Sequence, residues 1–205
     1  DLSSIHFTSS QTGWAAGTGG IIINTTDGGI SWNTQISGTT NNLFSIHFAD
    51  SQTGWAVGNA GTVLKTSDGG TNWIPQESSS TSSFRSVYFV DNQTGWIVGS
   101  GGTIIKTTNG GTNWFPQTSG GLYGLRSAHF INSQTGWSAG SAGVVLKTTN
   151  GVTDWISQSI VSSTYLRCIY FTNPQTGWIV GDNATLNGTI LKTTDGGTSW
   201  IVQAK

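Results

Sequence analysis

The chain has no methionine, a single cysteine and a single glutamate in its 205 residues. Charged residues make up only 8%, and the net charge is −1. That excludes a broad basic surface of the kind that tracks nucleic-acid phosphates. No apolar run approaches the roughly 18 residues needed for a membrane-spanning helix, and no signal peptide is present. The lone cysteine, Cys168, rules out an internal disulfide. Serine stands at its place in every other repeat, so Cys168 reads as a small buried residue. Without an initiator methionine the chain reads as processed or excised, in a secreted, cell-surface or periplasmic setting. Ala, Leu, Glu, Lys and Arg are mostly scarce, which argues against long helices. What is abundant is glycine, 30 residues, with Thr, Ser, Asn and Gln around a 35% hydrophobic complement. That mixture suits a β-protein with many turns.

A repeat organises these residues. Gln-Thr-Gly-Trp occurs five times, with its tryptophan at Trp14, Trp55, Trp96, Trp137 and Trp178, always 41 residues apart. A second series follows at Trp32, Trp73, Trp114, Trp155 and Trp200, spaced 41, 41, 41 and then 45. A four-residue insertion within Asp182–Gly188 accounts for the longer step. Each repeat reads as four short strands: Leu43–Phe48, Gly54–Gly58, Thr62–Thr66 and one beginning at Trp73, with their equivalents. A period of this length with four strands matches a propeller blade. The expected fold is all-β: one five-bladed β-propeller over 1–205, with blades near 1–37, 38–78, 79–119, 120–160 and 161–205. Packing of the first blade on the last is expected to close it.

The turn between the third and fourth strands reads Thr25-Thr26-Asp27-Gly28-Gly29-Ile30-Ser31-Trp32 in the first repeat. It follows the Asp-box pattern, Ser/Thr-x-Asp-x-Gly-x-x-Trp. Asp27, Asp68 and Asp195 hold the acidic position, while Asn109 and Asn150 replace it in two repeats. Val152 stands where the other boxes have a second glycine. A side chain that bonds its own backbone, followed by glycine at positive φ, makes a tight hairpin. The boxes are therefore read as structural, with Trp32, Trp73, Trp114, Trp155 and Trp200 capping the core between sheets.

Three motifs recur in register over essentially the whole chain: apolar-Arg-Ser-Val-Tyr-Phe, Gln-Thr-Gly-Trp-x-Val-Gly, and Gly-Thr-Ile-x-Lys-Thr-Thr-Asp-Gly-Gly-Thr-x-Trp. Together they resemble the Ycf48-like repeat of the Asp-box (BNR-type) β-propellers. The resemblance implies a propeller without enzymatic activity. Photosynthetic members attend to newly made photosystem II reaction-centre protein through a patch of arginines, and many bacterial relatives are secreted.

Strand alternation places the Gln-Thr-Gly-Trp and Asp-box turns at one end of each blade, and these turns are nearly uniform. The opposite end carries varied connectors, Ser37–Asn42, Glu77–Ser83, Thr118–Gly124 and Ser159–Tyr165, besides the insertion. Varied loops on a rigid scaffold are where function sits. Arg85, Arg126 and Arg167, the only arginines, start the first strands of blades three to five, where blades one and two have Ser3 and Phe44. Arginine forks hold carboxylate or phosphate groups. The candidate ligand site is thus Arg85, Arg126 and Arg167 with Phe44, Tyr123 and Tyr165, and Leu122 beside them.

His6, His47 and His129 share one repeat position with Tyr88 and Tyr170. That alternation reads as a half-buried polar tip, and no metal or other cofactor is expected. Lys65, Lys106, Lys147 and Lys192 read as solvated strand residues. Asn24, Asn92, Asn183 and Asn187 begin glycosylation sequons. Catalysis is not expected: the only glutamate, Glu77, lies in a connector, and no two carboxylates pair convincingly. The favoured partner is a protein or peptide, or another anionic ligand. A lectin-like carbohydrate-binding propeller and a self-associating subunit of an extracellular assembly are the alternatives, with a sialidase-like glycosidase behind them. No nucleic acid and no membrane span are expected.

Overall fold

The structure is a computed structural model, and it describes residues 1–151, 154–158, 165–182 and 188–204. Its strands form five four-stranded antiparallel sheets, each with the strands in chain order. The first sheet is Leu2–Phe7, Gly13–Gly17, Ile22–Thr25 and Asn33–Gln35; the second is Leu43–Phe48, Gly54–Gly58, Val63–Thr66 and Ile74–Pro75. The third is Phe84–Phe89, Gly95–Gly99, Ile104–Thr107 and Phe115–Gln117, and the fourth is Leu125–Phe130, Gly136–Gly140, Val145–Thr148 and Ile156–Gln158. Tyr165–Phe171, Gly177–Asp182, Gly188–Thr193 and Ile201–Ala204 make the fifth. Each fourth strand starts just after the tryptophan expected to open it. By contacts the chain falls into two compact units, Asp1–Ile97 with Thr107–Phe115, and Val98–Lys106 with Pro116–Lys205.

In the first unit, Trp14, Ala16 and Ile22 of the first sheet share one buried cluster with Leu43, Ile46, Phe48, Leu64 and Trp73 of the second. Trp14 stacks on Phe48 at 3.7 Å and Trp55 on Phe89 at 3.4 Å. Their indole N–H groups donate to the carbonyls of Gly69 and Gly110 at 3.0 and 3.1 Å. The first tryptophan series thus ties each sheet to the Asp-box turn of the next. The second unit repeats the joint. Trp137 stacks on Phe171 at 3.6 Å and donates to Gly196 at 3.0 Å. A buried aromatic with a satisfied N–H supplies both area and direction.

The glycine of Gln-Thr-Gly-Trp has a steric reason. Gly54 pairs across the ladder with Phe48, and a β-carbon there would lie 2.6 Å from the phenylalanine ring. The ring lies flat over the bare backbone, in position to receive the tryptophan of the preceding sheet.

The first strands of the first, second, fourth and fifth sheets carry a one-residue irregularity near their start, between Leu2 and Ser4, Leu43 and Ser45, Leu125 and Ser127, and Leu166 and Cys168. Such a bulge re-aims one side chain. Beyond it, N–H groups on the open edge of the first strand are used between sheets: Ile46 N–H donates to Ser4 Oγ, Val87 to Ser45 and Ile169 to Ser127, at 3.1 to 3.2 Å.

One expectation fails here. Cys168 is exposed, not buried, whereas its serine counterparts Ser4, Ser45, Ser86 and Ser127 are half-buried.

Candidate functional site

The two ends of each sheet are built differently. At one end the Asp-box turn is organised by a threonine hydroxyl. Thr66 Oγ1 accepts from the N–H of Gly70 at 2.8 Å and donates to Asp68 Oδ1 at 2.8 Å. Asp68 in turn accepts from Asn72 N–H and from its side-chain amide. Gly69 and Gly70 have φ of 71° and 92°, which side chains rarely adopt. The Gly69 N–H also donates to the Gln52 carbonyl, fastening the box to the Gln-Thr-Gly-Trp turn. These bonds to the charged form hold the carboxyls of Asp27 and Asp195 down at about 2, the Ser31 and Ser199 hydroxyls being the largest cause. Asn109 Oδ1 takes the same two bonds, from Thr107 Oγ1 and Asn113 N–H. The box therefore needs an oxygen acceptor and not a charge. Val152 lies outside the described residues.

At the other end lie the short turns between second and third strands and the connectors. A second threonine position is prominent here, with Thr62 Oγ1 donating to the Asn59 carbonyl at 2.6 Å. In the first unit a cavity of about 590 Å³ opens between Gly38–Thr39, Gly61–Leu64 and the connector Pro75–Thr81.

The bulge positions face this end. In the first unit the structure brings two expected site residues together: the Arg85 guanidinium lies over the Phe44 ring at 4.1 Å. Phe44 occupies the bulge of the second sheet, and both side chains are half-buried. In the second unit Arg126 sits at the bulge of the fourth sheet and is half-buried. Its Nε is out of reach of water and meets no acceptor among the described residues. Arg167, at the bulge of the fifth sheet, is exposed and ion-paired with Asp182, its Nε donating at 2.6 Å. That pair raises the guanidinium further above its ordinary value. Tyr165 lies opposite Asp182 on the ladder and is exposed, as are Tyr123 and Leu122. Tyr123 also supplies a carbonyl to the Gly102 N–H. The Asp182 partnership was missed in the sequence, although the insertion places that acid beside the arginine's strand.

Other sequence candidates serve the joints between sheets. His47 Nε2 donates to the Phe89 carbonyl at 3.0 Å, and its ring lies 4.6 Å from His6 and 4.9 Å from Tyr88. In the second unit His129 lies 4.7 Å from Tyr170. Burial pushes His6 down and His129 down to about 4. No group of three or more His, Cys, Asp or Glu gathers into a metal-ligand set among the described residues. The lysines are not simply solvated. Lys65 and Lys147 hold Nζ over Trp55 and Trp137 at 5.6 and 5.5 Å, and burial lowers Lys65 and Lys106. Among the sequons, Asn24 is half-buried within a strand and Asn92 is exposed in a turn. Asn183 and Asn187 lie outside the described residues, as does most of the Ser159–Tyr165 connector.

Comparison with known proteins fits this architecture. The family model described as photosynthesis system II assembly factor YCF48 matches residues 1–74, 34–118 and 78–162. The chain belongs to the YCF48 family. Among solved structures, a YCF48 bound to a D1 peptide superposes with a TM-score of 0.70 at 19% identity, over 98% of this chain and 80% of that one. YCF48 from Cyanidioschyzon merolae gives 0.67 at 18% identity, over 98% and 84%. A Niastella koreensis GH74 enzyme gives 0.77 at 17% identity, but this chain spans only 38% of it. At these identities the likeness establishes the shared β-propeller fold. No curated protein matches by sequence. YCF48 membership agrees with the repeat motifs, which rest on the joints and turns described above. No helix among the described residues is long and apolar enough to cross a membrane.

Proposed function

We propose that this YCF48-family chain is a five-bladed, non-enzymatic scaffold that binds an extended peptide carrying carboxylates at the connector end. The observation that carries the reading is the Arg85 guanidinium held 4.1 Å over the Phe44 ring at the connector end, a fork with an apolar base. Arg126 and Arg167 hold the same bulge position in the fourth and fifth sheets and can offer the same fork to a carboxylate. Arg167 is held by Asp182, so a ligand carboxylate there competes with an internal one. Tyr123 and Tyr165 supply exposed ring faces. The YCF48 solved with a D1 peptide supports a peptide as the class of partner.

The carboxylates present support a binding role. Those of the boxes are saturated by local donors and ionised far below neutrality, so they are unsuited to proton transfer at neutral pH. The setting is read as secreted, cell-surface or periplasmic.

The test is fluorescence polarisation with a panel of labelled peptides, each with a free or amidated C-terminus and with or without internal acids. Acid-bearing peptides are expected to bind, with affinity falling roughly tenfold or more in Arg126→Ala and in Arg85→Ala. The Arg167→Ala change is expected to be smaller, because removing the arginine also removes an existing pair. Binding unchanged in all three variants, or indifferent to peptide charge, would refute this reading.

A further inference from the structure

The cavity beside the connector Pro75–Thr81 is where the second repeat departs from its neighbours. Ala60 and Ser79 line it with φ of 53° and 54°. Glycine holds those places nearby, Gly19 and Gly101 for Ala60, and Gly38 and Gly120 for Ser79, all at positive φ. Among the described residues, Ala142, at the Ala60 place of the fourth sheet, is the remaining non-glycine residue in that backbone region. A side chain there stores strain, and such strain gathers where a ligand is held.

Gln76, in the cavity wall, departs as well. Its counterparts Gln35 and Gln117 accept through Oε1 from the indole N–H of Trp73 and Trp155, at 3.2 and 2.9 Å. Gln76 instead turns to its own strand, donating through Nε2 to the carbonyls of Ile74 and Pro75 at 3.3 and 3.1 Å. The buried Trp114 indole N–H is left with no acceptor among the described residues. Where Gln158 turns the same way in the fourth sheet, Trp200 finds the Gly197 carbonyl at 3.1 Å. Gln76 therefore forgoes the bond its counterparts make and presents a free Oε1. The next residue, Glu77, is the chain's only glutamate, where Ile36, Thr118 and Ser159 stand in other repeats. It is exposed on the cavity and has no ion-pair or hydrogen-bond partner among the described residues. The Ser78 hydroxyl beside it is spent on the Gly61 and Ser80 carbonyls.

We propose, resting on the peptide-binding function above, that this cavity seats a basic side chain, arginine or lysine, of the peptide whose carboxylate meets Arg85 and Phe44. The occupant follows from the chemistry of the wall. The Glu77 carboxylate and Gln76 Oε1 are acceptors, and the amide and hydroxyl donors beside them are taken, so the wall suits a donor-rich cation. Pro75 and the Ala60 methyl give the stem of that side chain an apolar seat. Both seats are within reach of one short ligand. Thr81 lines the cavity and Arg85 follows it in the chain, so their Cα atoms are at most about 14 Å apart. An extended peptide covers that span in about four residues, which sets the spacing between its base and its acid.

Two measurements on the whole chain test this. In the first, N-acetylarginine amide and its uncharged analogue N-acetylcitrulline amide are titrated into isotope-labelled protein, and the amide signals of Ser79, Ser80 and Thr81 are followed by NMR. The arginine compound is expected to shift them saturably and the citrulline compound to bind roughly fivefold more weakly, a difference that disappears in Glu77→Gln. In the second, labelled peptides with an arginine about four residues from a carboxylate are compared with their citrulline versions by fluorescence polarisation. The same preference of roughly fivefold is expected, lost in Glu77→Gln, reduced in Ser79→Gly and kept in Arg85→Ala. Equal binding of arginine and citrulline in either measurement, or a preference that survives Glu77→Gln, overturns the proposal. If Arg85→Ala leaves peptide affinity intact while the preference holds, the fork is not the seat of the acid, yet the cavity remains the seat of the base.

Discussion

The two ends of the sheets show what a repeat holds constant and what it releases. At the Asp-box end the same threonine and the same carboxylate or amide recur from sheet to sheet, and in four of the five boxes the second glycine donates to the threonine hydroxyl, Gly151 doing so in the fourth. At the connector end the bulge position holds Ser3, Phe44, Arg85, Arg126 or Arg167. The first end is bonded inward and carries the joint to the next sheet. The second end directs its side chains away from the ladder. Stability should therefore depend on the first and recognition on the second.

The largest expected effect is at the tryptophan joint. Trp137→Ala removes a fully buried ring, its stack on Phe171 and its bond to Gly196. Urea unfolding should show a loss of about 3 to 5 kcal/mol; a loss below about 1 kcal/mol would show that the joint is not what holds neighbouring sheets.

Acid sharpens the comparison. His129 is neutral in the folded chain down to about 4, so its contribution is complete above its ordinary value of 6.5 and is lost as pH falls between 6.5 and about 4. That limb should cost about 2 to 3 kcal/mol, and His129→Gln should flatten it. The box carboxylates of Asp27 and Asp195 act later, contributing above their ordinary 3.8 and losing that contribution only as pH falls towards about 2. Equal stability at pH 7 and pH 4.5 would contradict this ordering.

Smaller again is the box hub. Thr66→Val keeps the shape and removes the hydroxyl that serves Gly70 and Asp68, for about 1 to 3 kcal/mol. Asp68→Asn should cost much less, because Asn109 and Asn150 already work in that place. The smallest effect belongs to the connector end. Arg167→Ala breaks an exposed ion pair with Asp182 and should shift stability by no more than about 0.5 kcal/mol. A shift there as large as that of Thr66→Val would erase the distinction between the ends.

Most of the repeating sheet was legible because its signals are local: tryptophan spacing, box glycines and alternating first strands. The pairing of Arg85 with Phe44 was legible too, since both stand at one repeat position in neighbouring repeats. The exposure of Cys168 was not legible, because serine holds its place in the other repeats and a small residue there reads as buried. The lysines over the tryptophans escaped notice for a related reason, as a strand residue that alternates with polar neighbours reads as solvated until the adjacent ring is seen. Arg167 required knowing that the insertion leaves Asp182 across the strand.

The bulge has a wider consequence. It adds one residue to the first strand without changing the pairs that follow, so its side chain is almost uncoupled from the ladder. Serine, phenylalanine and arginine have already been exchanged there. If the proposed connector-end site is the binding site, selection can rewrite its specificity one letter at a time, drawing little on the stability reserve that usually limits new specificities. A library restricted to positions 3, 44, 85, 126 and 167 would explore that freedom directly.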